Sequence, residues 1–430
     1  MSASNPRLLY FGARLPARSE TFVYREVFEL RKRGWQVLVA SVHTPERGLG
    51  SVKLDRLADE VICIYGSGWG RLFRDAATTC FASPRASLKV LRRAVLDAVT
   101  GRSVPLSKRP KLILHAIAAL ALEQRCRDQI VDHVHAHMSH VPTGIAMYWA
   151  LFRGITFSFT GHAADLFRDQ SLLPAKVRRA AFVACISHWH QRFYQRLTPD
   201  VDSARLPVVR CGVDVPPPRH QEIHDDGRPF RVLGVGRLVE KKGFEILVRA
   251  LGALRDRQVP VVCRIIGDGP DFPVLNELAR SLELGEVLQF LGARSNQEVK
   301  EEMQNCDLFV LPCRRAESGD RDGIPVVLME AMAASVPVIS GDIETIRELV
   351  QHDRTGWMVE PDNVQQLGAA IELLLGDNAR RERLSKAGRE FVQQEFSLPQ
   401  NVSRLATAFR AGLAAHDTSR APARSSEVKA

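Results

Sequence analysis

The sequence of 430 residues predicts an α/β protein built from two doubly wound domains. Three observations carry that expectation. Short apolar runs recur along the chain, each followed by a longer segment with helical spacing, which is the rhythm of parallel strands and crossover helices. The rhythm is interrupted near the midpoint by a proline-rich polar stretch and then restarts. The length suits two hydrophobic cores rather than one.

Composition narrows the class. Charged residues make up 25% and hydrophobic residues 45%, as in an ordinary soluble globular protein. The net charge of +10 is distinctly basic and would suit nucleic acid or an anionic membrane surface. No basic motif interleaved with aromatics supports nucleic acid, so it is not expected as a partner. The eight cysteines (63, 80, 126, 185, 211, 263, 306 and 313) show no C-x-x-C or Cys/His finger spacing. They are expected to be reduced, buried thiols of a cytosolic protein. The chain enters a strand by about Arg7 without the charged-then-apolar layout of a signal peptide. No apolar run reaches the roughly 18 residues that would span a bilayer. A soluble or peripheral protein is expected.

Leu8-Leu9-Tyr10-Phe11 reads as the first strand, ending at Gly12. A helix follows from near Ser19, a cap residue, to Arg31-Lys32-Arg33, with Gly34 as terminator. Val37 to Ala40 is the next strand, and the pattern repeats through 60–64, 133–136, 155–160, 181–186 and 206–210. One segment departs from it. From Arg71 to Lys111 ten basic residues stand against Asp75 and Asp97, with Leu88, Leu91, Val95 and Leu96 as an apolar face. A basic amphipathic helix of this kind suits an anionic membrane surface. The alternative is a solvated helix whose charges serve only solubility.

The first domain is expected over 1–213, and 214–229 has the proline and polar content of a linker. The second domain, 230–398, repeats the rhythm: strands 230–234, 261–266, 288–290, 308–311 and 336–339, with helices 243–256 and 272–282, another after Pro325, and more from 364 to 395. Another apolar-periodic segment occupies about 399–415, and 416–430 is small, polar and expected to be disordered.

The chemistry concentrates in Arg314 to Met332. There a buried strand ends at Pro312, a charge-dense loop follows, and Gly323-Ile324-Pro325 opens a helix. Ligands of open α/β sheets bind at the carboxyl ends of strands, and unpaired amides at a helix start attract phosphate. Asp322 and Glu330 bracket the turn. A second loop, Gly234 to Gly243, also joins a strand to a helix, and its Arg237 and Lys242 could clamp a diphosphate from two sides. Taken alone, both could be surface charges.

These residues together resemble glycosyltransferase family 4, the retaining, nucleotide-sugar-dependent enzymes of GT-B fold. The likeness runs from about Leu8 to Leu413. It is carried by the Arg-x4-Lys pair Arg237 and Lys242, the Gly267-Asp268-Gly269-Pro270 turn, and the run from Asp322 to Glu330. Ser19-Glu20-Thr21-Phe22 and Thr160-Gly161-His162-Ala163-Ala164-Asp165 further resemble the branch that builds bacterial exopolysaccharides, colanic acid included. The resemblance implies two Rossmann-like domains facing a central cleft, the last helix crossing back onto the first. It implies a donor site at Gly12, Gly236, Arg237, Lys242, Gly267, Gly269, Gly323, Ile324, Pro325, Val326 and Glu330, with Glu330 on the ribose hydroxyls. His162 is expected to meet the donor sugar, and His162, Asp322, Arg237 and Lys242 to serve the chemistry. Glu20, His137 and Asp165 are candidates on the acceptor side. The family has Glu at both ends of its Glu-x7-Glu motif, whereas here the first is Asp322, one methylene shorter; Cys211 stands where Asn is usual.

The function so implied is transfer of a hexose from a nucleoside-diphosphate sugar, UDP before GDP, to a lipid-linked oligosaccharide at the inner face of the cytoplasmic membrane. No cofactor or metal is expected, because cations and helix amides can neutralise the departing diphosphate. Two features invite a metal reading. Asp320-Arg321-Asp322 imitates an Asp-x-Asp motif, and His133, His135 and His137 alternate onto one strand face. A nucleotide-sugar epimerase of the same architecture and a non-catalytic sugar-nucleotide binder are the competing functions. A dinucleotide dehydrogenase is disfavoured because no G-x-G-x-x-G follows the first strand.

Overall fold

The computed structural model describes residues 5–420 except 19, 102, 163–165, 167–169 and 219–227, with the backbone alone over 417–420. The chain divides into two units, residues 1–209 with 402–430, and residues 210–401. Most of the expected linker and the end of the tail lie outside the described residues. The last helix, Leu398–Arg420, is longer than the sequence rhythm implies and continues through the start of the expected disordered tail.

In the first unit a six-stranded parallel sheet has the order β3-β2-β1-β4-β5-β6. Its strands are β1 (Leu8–Arg14), β2 (Val37–His43), β3 (Ile62–Cys63), β4 (His133–His137), β5 (Thr156–Gly161) and β6 (Val183–Cys185). β1 and β2 are largely apolar, as expected of strands covered by helices on both faces, whereas β4 and β5 alternate polar with apolar residues. β1 runs past Gly12 to Arg14. The expected strand over 206–210 contributes a single bridge between Val208 and Cys185.

The expected basic amphipathic segment is two long helices, Gly68–Ala82 and Pro84–Thr100, with a third, Arg109–Arg125, packed against both. Their inner faces are held by polar bonds as well as packing. Arg125 pairs with the buried Asp75 at 2.9 Å and donates to the carbonyl of Ile64. Asp97, 2% exposed, receives Arg93 at 2.8 Å, Arg179 at 2.7 Å and the Tyr148 hydroxyl at 3.0 Å. The final helix supplies Phe409, which packs edge-on against His133 and His135 and beside Phe182.

The second unit repeats the topology, with order β12-β11-β10-β7-β8-β9. Its strands are β7 (Phe230–Val235), β8 (Val261–Ile266), β9 (Leu288–Gly292), β10 (Leu308–Leu311), β11 (Val338–Gly341) and β12 (Trp357–Val359). In each sheet the first and fourth strands lie side by side at the centre, so the connections reverse direction there. That reversal opens a crevice at the strand ends, where open α/β sheets bind ligands.

Candidate active site

In the second unit the two loops singled out by sequence leave the two central strands. β7 delivers Gly236 to Gly243, and β10 delivers Pro312 to Pro325. Backbone contacts knit them, since the Arg314 amide donates to the Lys241 carbonyl at 3.0 Å. Gly243 has φ +68° and lies against the Pro312 carbonyl, where a Cβ has no room. Gly267, at φ +147°, sits equally close to the Gly236 carbonyl, and Gly269 presses on Leu238. The Gly-Asp-Gly-Pro turn therefore buttresses the loop that carries Arg237.

Lys242 and Asp322 meet in this crevice at 2.8 Å, each side chain 13% exposed. Lys241 adds a contact to Asp322 at 3.5 Å and one to Asp320 at 3.4 Å. Burial alone would raise the Asp322 carboxyl, but Lys242 and Lys241 outweigh it and hold the group below the usual carboxylate range. Burial pulls on Lys242 in the opposite sense, and Asp322 with the neighbouring groups more than restores it, so its ammonium is firmer than usual. Cys313, whose thiol burial pushes up, lies 3.5 Å from the same carboxylate. The Asp322 carbonyl accepts from Thr345 at 2.7 Å, pinning the loop. Asp320 and Asp322 are thus each turned to a lysine.

Arg237 is exposed, and among the described residues no side-chain hydrogen bond or ion pair holds it. It is a cation ready for an anionic ligand. Gly323, Ile324 and Pro325 are buried, and the helix begins at Val326 with Pro325 in the capping position, one residue outside the first turn. Glu330 is half-buried one turn into that helix. The first turn leaves orphan amides at the crevice.

In the first unit, His162 directly follows β5 and is 8% exposed, with Phe22 at 4.5 Å between ring centroids. His137, at the end of β4, is fully buried. Its Nδ1 lies 3.3 Å from His162 Nε2, and its Nε2 lies 3.1 Å from Glu26. Glu20 caps the helix Thr21–Lys32 in position but makes no side-chain cap bond. Gly12 lies within β1. The expected cap Ser19 and the candidate Asp165 lie outside the described residues. Glu26, His135 and His137 could offer one ligand atom each to a metal, all within 4.8 Å of one another.

Sequence reasoning missed Lys241, Cys313, Tyr10 and Glu26. A signal for Glu26 exists: it occupies the buried stripe of its helix with Val23, Val27 and Leu30, where a carboxylate needs a partner.

Two doubly wound parallel sheets, one with fixed cations and orphan helix amides at its central crevice, define the GT-B class of two-unit α/β proteins. Residues 218–391 match the family described as Glycosyl transferases group 1, and the protein is a glycosyltransferase. It is 26% identical over 407 residues to the putative colanic acid biosynthesis glycosyltransferase WcaL of Salmonella typhimurium, covering 91% of this chain and 96% of the relative. It is also 26% identical over 421 residues to the amylovoran biosynthesis glycosyltransferase AmsK of Erwinia amylovora, with the same coverage of 91% and 96%. Among solved structures, Anabaena Alr3699/HepE in complex with UDP and glucose superposes with a TM-score of 0.68 at 17% identity, covering 94% of this chain and 99% of that one.

Proposed function

We propose that the protein is a retaining glycosyltransferase of family 4 that moves a hexose from a nucleoside-diphosphate sugar to a lipid-linked oligosaccharide during exopolysaccharide assembly, on the inner face of the cytoplasmic membrane. The observation that carries this reading is the meeting of Lys242 and Asp322 at the central crevice of the second unit, beside the loop bearing Arg237. The named relatives of colanic acid and amylovoran biosynthesis support the exopolysaccharide role. UDP is the first base to test, given the bound UDP of the Anabaena neighbour, and GDP the second.

As the sugar–phosphate bond lengthens, negative charge gathers on the departing diphosphate. Lys242, Arg237 and the amides before Val326 stabilise it where it forms, so no metal is required. Asp322 already neutralises Lys242, and a bound diphosphate would share that ammonium. Glu330 takes the ribose hydroxyls, and His162 contacts the sugar. The acceptor hydroxyl attacks from the face that the diphosphate leaves and passes its proton to the departing phosphate oxygen, which preserves the anomeric configuration without a protein nucleophile.

Purified protein incubated with UDP- or GDP-hexoses and a lipid-linked acceptor should release nucleoside diphosphate. Lys242→Ala or Glu330→Ala should reduce that release at least a hundredfold, as loss of a preorganised charge contact typically does. Full turnover by either variant would refute the site, and turnover without acceptor would favour epimerisation.

A further inference from the structure

The group beside His137, in which the Tyr10 hydroxyl meets Glu26 at 2.7 Å, is buried. Aromatic rings that do face water lie at the carboxyl edge of the same sheet, toward its outer strands. Tyr65, Trp69 and Phe73 recur at every fourth position, and His43 ends β2 beside them. Ring centroids step from His43 to Tyr65 at 6.0 Å, from Tyr65 to Trp69 at 5.2 Å and from Trp69 to Phe73 at 6.2 Å. Trp69 and Phe73 are 56% and 50% exposed, and His43 is exposed as well. Exposed aromatic surface gathered in one place marks a binding face.

The backbone fixes this run. The Tyr65 amide donates to the Val42 carbonyl at 3.0 Å, so Tyr65 continues the pairing of β3 with β2. The Gly68 amide returns to the Tyr65 carbonyl at 3.1 Å and opens the helix Gly68–Ala82. Leu72 and Ala76 bury the inner face of that helix in the core, which leaves Trp69 and Phe73, four apart, on its outer face.

Polar groups at the inner end identify the occupant. The run begins at the end of β2, next to β1, on the edge where open α/β sheets bind ligands. Arg14, in register with His43 across β1 and β2, pairs with Glu46 at 3.4 Å. The His43 imidazole, the Tyr65 hydroxyl and the Trp69 indole N–H have no hydrogen-bond partner among the described residues. A pyranose is apolar on the face of its axial C–H bonds and ringed by hydroxyls. It needs ring faces and hydrogen-bonding groups side by side, which the amphipathic Tyr and Trp supply. A hydrocarbon chain would desolvate those polar groups without replacing their hydrogen bonds.

We propose that this run is a track for the saccharide of the acceptor. Pyranose C–H faces lie on Tyr65 and Trp69, sugar hydroxyls bond to His43 and the Tyr65 hydroxyl, and Phe73 marks the outer end. That the bound saccharide is the acceptor rests on the transferase reading above; the affinity for sugar rings does not. Ser83 joins the track's helix to the basic helix Pro84–Thr100, so sugar track and membrane helix are consecutive elements, as suits a saccharide carried on lipid.

Trp69 is its own reporter. Trp35, Trp149 and Trp189 are 7% exposed or less and Trp357 is half-buried, so acrylamide should quench Trp69 first. Lipid-free maltotriose, cellotriose and mannotriose share the C–H face without being the natural acceptor, and at least one should protect that fluorescence saturably. Trp69→Leu keeps apolar surface and removes the ring. It should weaken the bound trisaccharide about tenfold in calorimetric titration, the size of one aromatic contact, and leave binding to phosphatidylserine vesicles unchanged. Tyr65→Phe, which removes only a hydroxyl, should weaken the same trisaccharide about fivefold. Absence of protection by all of these sugars, or undiminished affinity in Trp69→Leu, would overturn the proposal. Loss of vesicle binding in place of trisaccharide binding would hand the rings to the membrane and overturn it equally. Protein that binds a trisaccharide through Trp69 yet turns over no sugar nucleotide would sink the transferase reading and leave the track standing.

Discussion

At the scale of single residues, Asp322 does two jobs that one experiment can separate. Its carboxylate neutralises a lysine that is 13% exposed, and its loop carries the turn into the helix Val326–Ala333. Removing Lys242 alone leaves a desolvated carboxylate facing Cys313 and Lys241, and breaking a buried pair in this way costs about 3–5 kcal/mol. Here Lys241 stays close enough to reduce the penalty toward the lower figure. Lys242→Met should therefore lower both stability and diphosphate affinity. The double variant Lys242→Met with Asp322→Asn should recover most of the stability, because neither charge is left alone, and none of the affinity. Urea unfolding and calorimetric titration with UDP and GDP measure the two quantities separately. Recovery of affinity in the double variant would show that Lys242 does not hold the diphosphate.

Among the elements, the helix Pro84–Thr100 has an outward stripe of Arg85, Leu88, Lys89, Arg92, Val95, Leu96 and Val99, all exposed. Leu96 and Val99 are 51% and 66% exposed, an apolar cost in water that a bilayer interface would remove. Trp69, Phe73 and Phe81 on the preceding helix are exposed as well. Arg93 is not part of this stripe, because Asp97 holds it. The membrane association proposed above would place these cations and apolar groups against an anionic lipid surface. Neutralising Lys89 and Arg92 together should weaken binding to phosphatidylserine vesicles roughly thirtyfold, at about 1 kcal/mol per basic residue. Unchanged co-sedimentation at low salt would remove this helix from the membrane role. Much of this level was legible in sequence, since strands covered on both faces read as plain apolar runs, as at β10. The helix Arg109–Arg125 was hidden because its N-terminal basic residues merged with the charged segment before it. The donor loops were legible for the same local reason: Arg237 with Lys242, and Asp322 with Glu330, are close in sequence. The partnership of Tyr10, Glu26 and His137 was not. Glu26 and His137 are 111 positions apart, and only the order of the sheet brings them together.

For the molecule as a whole, the two units should respond to acid at different pH. In the first, burial holds His133 down to about 3, and burial followed by the neighbouring histidines lowers His135 and His162 well below the ordinary value. The unfolded chain takes up protons at these sites near pH 6.5 while the folded unit does not. Stability from these groups is therefore complete above about pH 6.5 and falls as the pH drops. The slope is up to about 1.4 kcal/mol per pH unit for each histidine, roughly 4 for the three. In the second unit the depressed Asp322 contributes stability above about pH 3.9 and loses it only as the pH falls through its lower folded value. The raised Lys242 contributes below about pH 10.4 and loses it only as the pH rises through its higher folded value. Between pH 4 and 6.5 the histidine core of the first unit weakens while the Lys242–Asp322 pair does not. Samples equilibrated across this range in mild urea, then pulse-labelled with deuterium at one fixed pH, should lose protection in β4 and β5 before β7 and β10. His133→Gln should flatten the slope by about a third. Simultaneous loss in both sheets, or a slope indifferent to His133, would mean that the buried imidazoles do not govern the acid response.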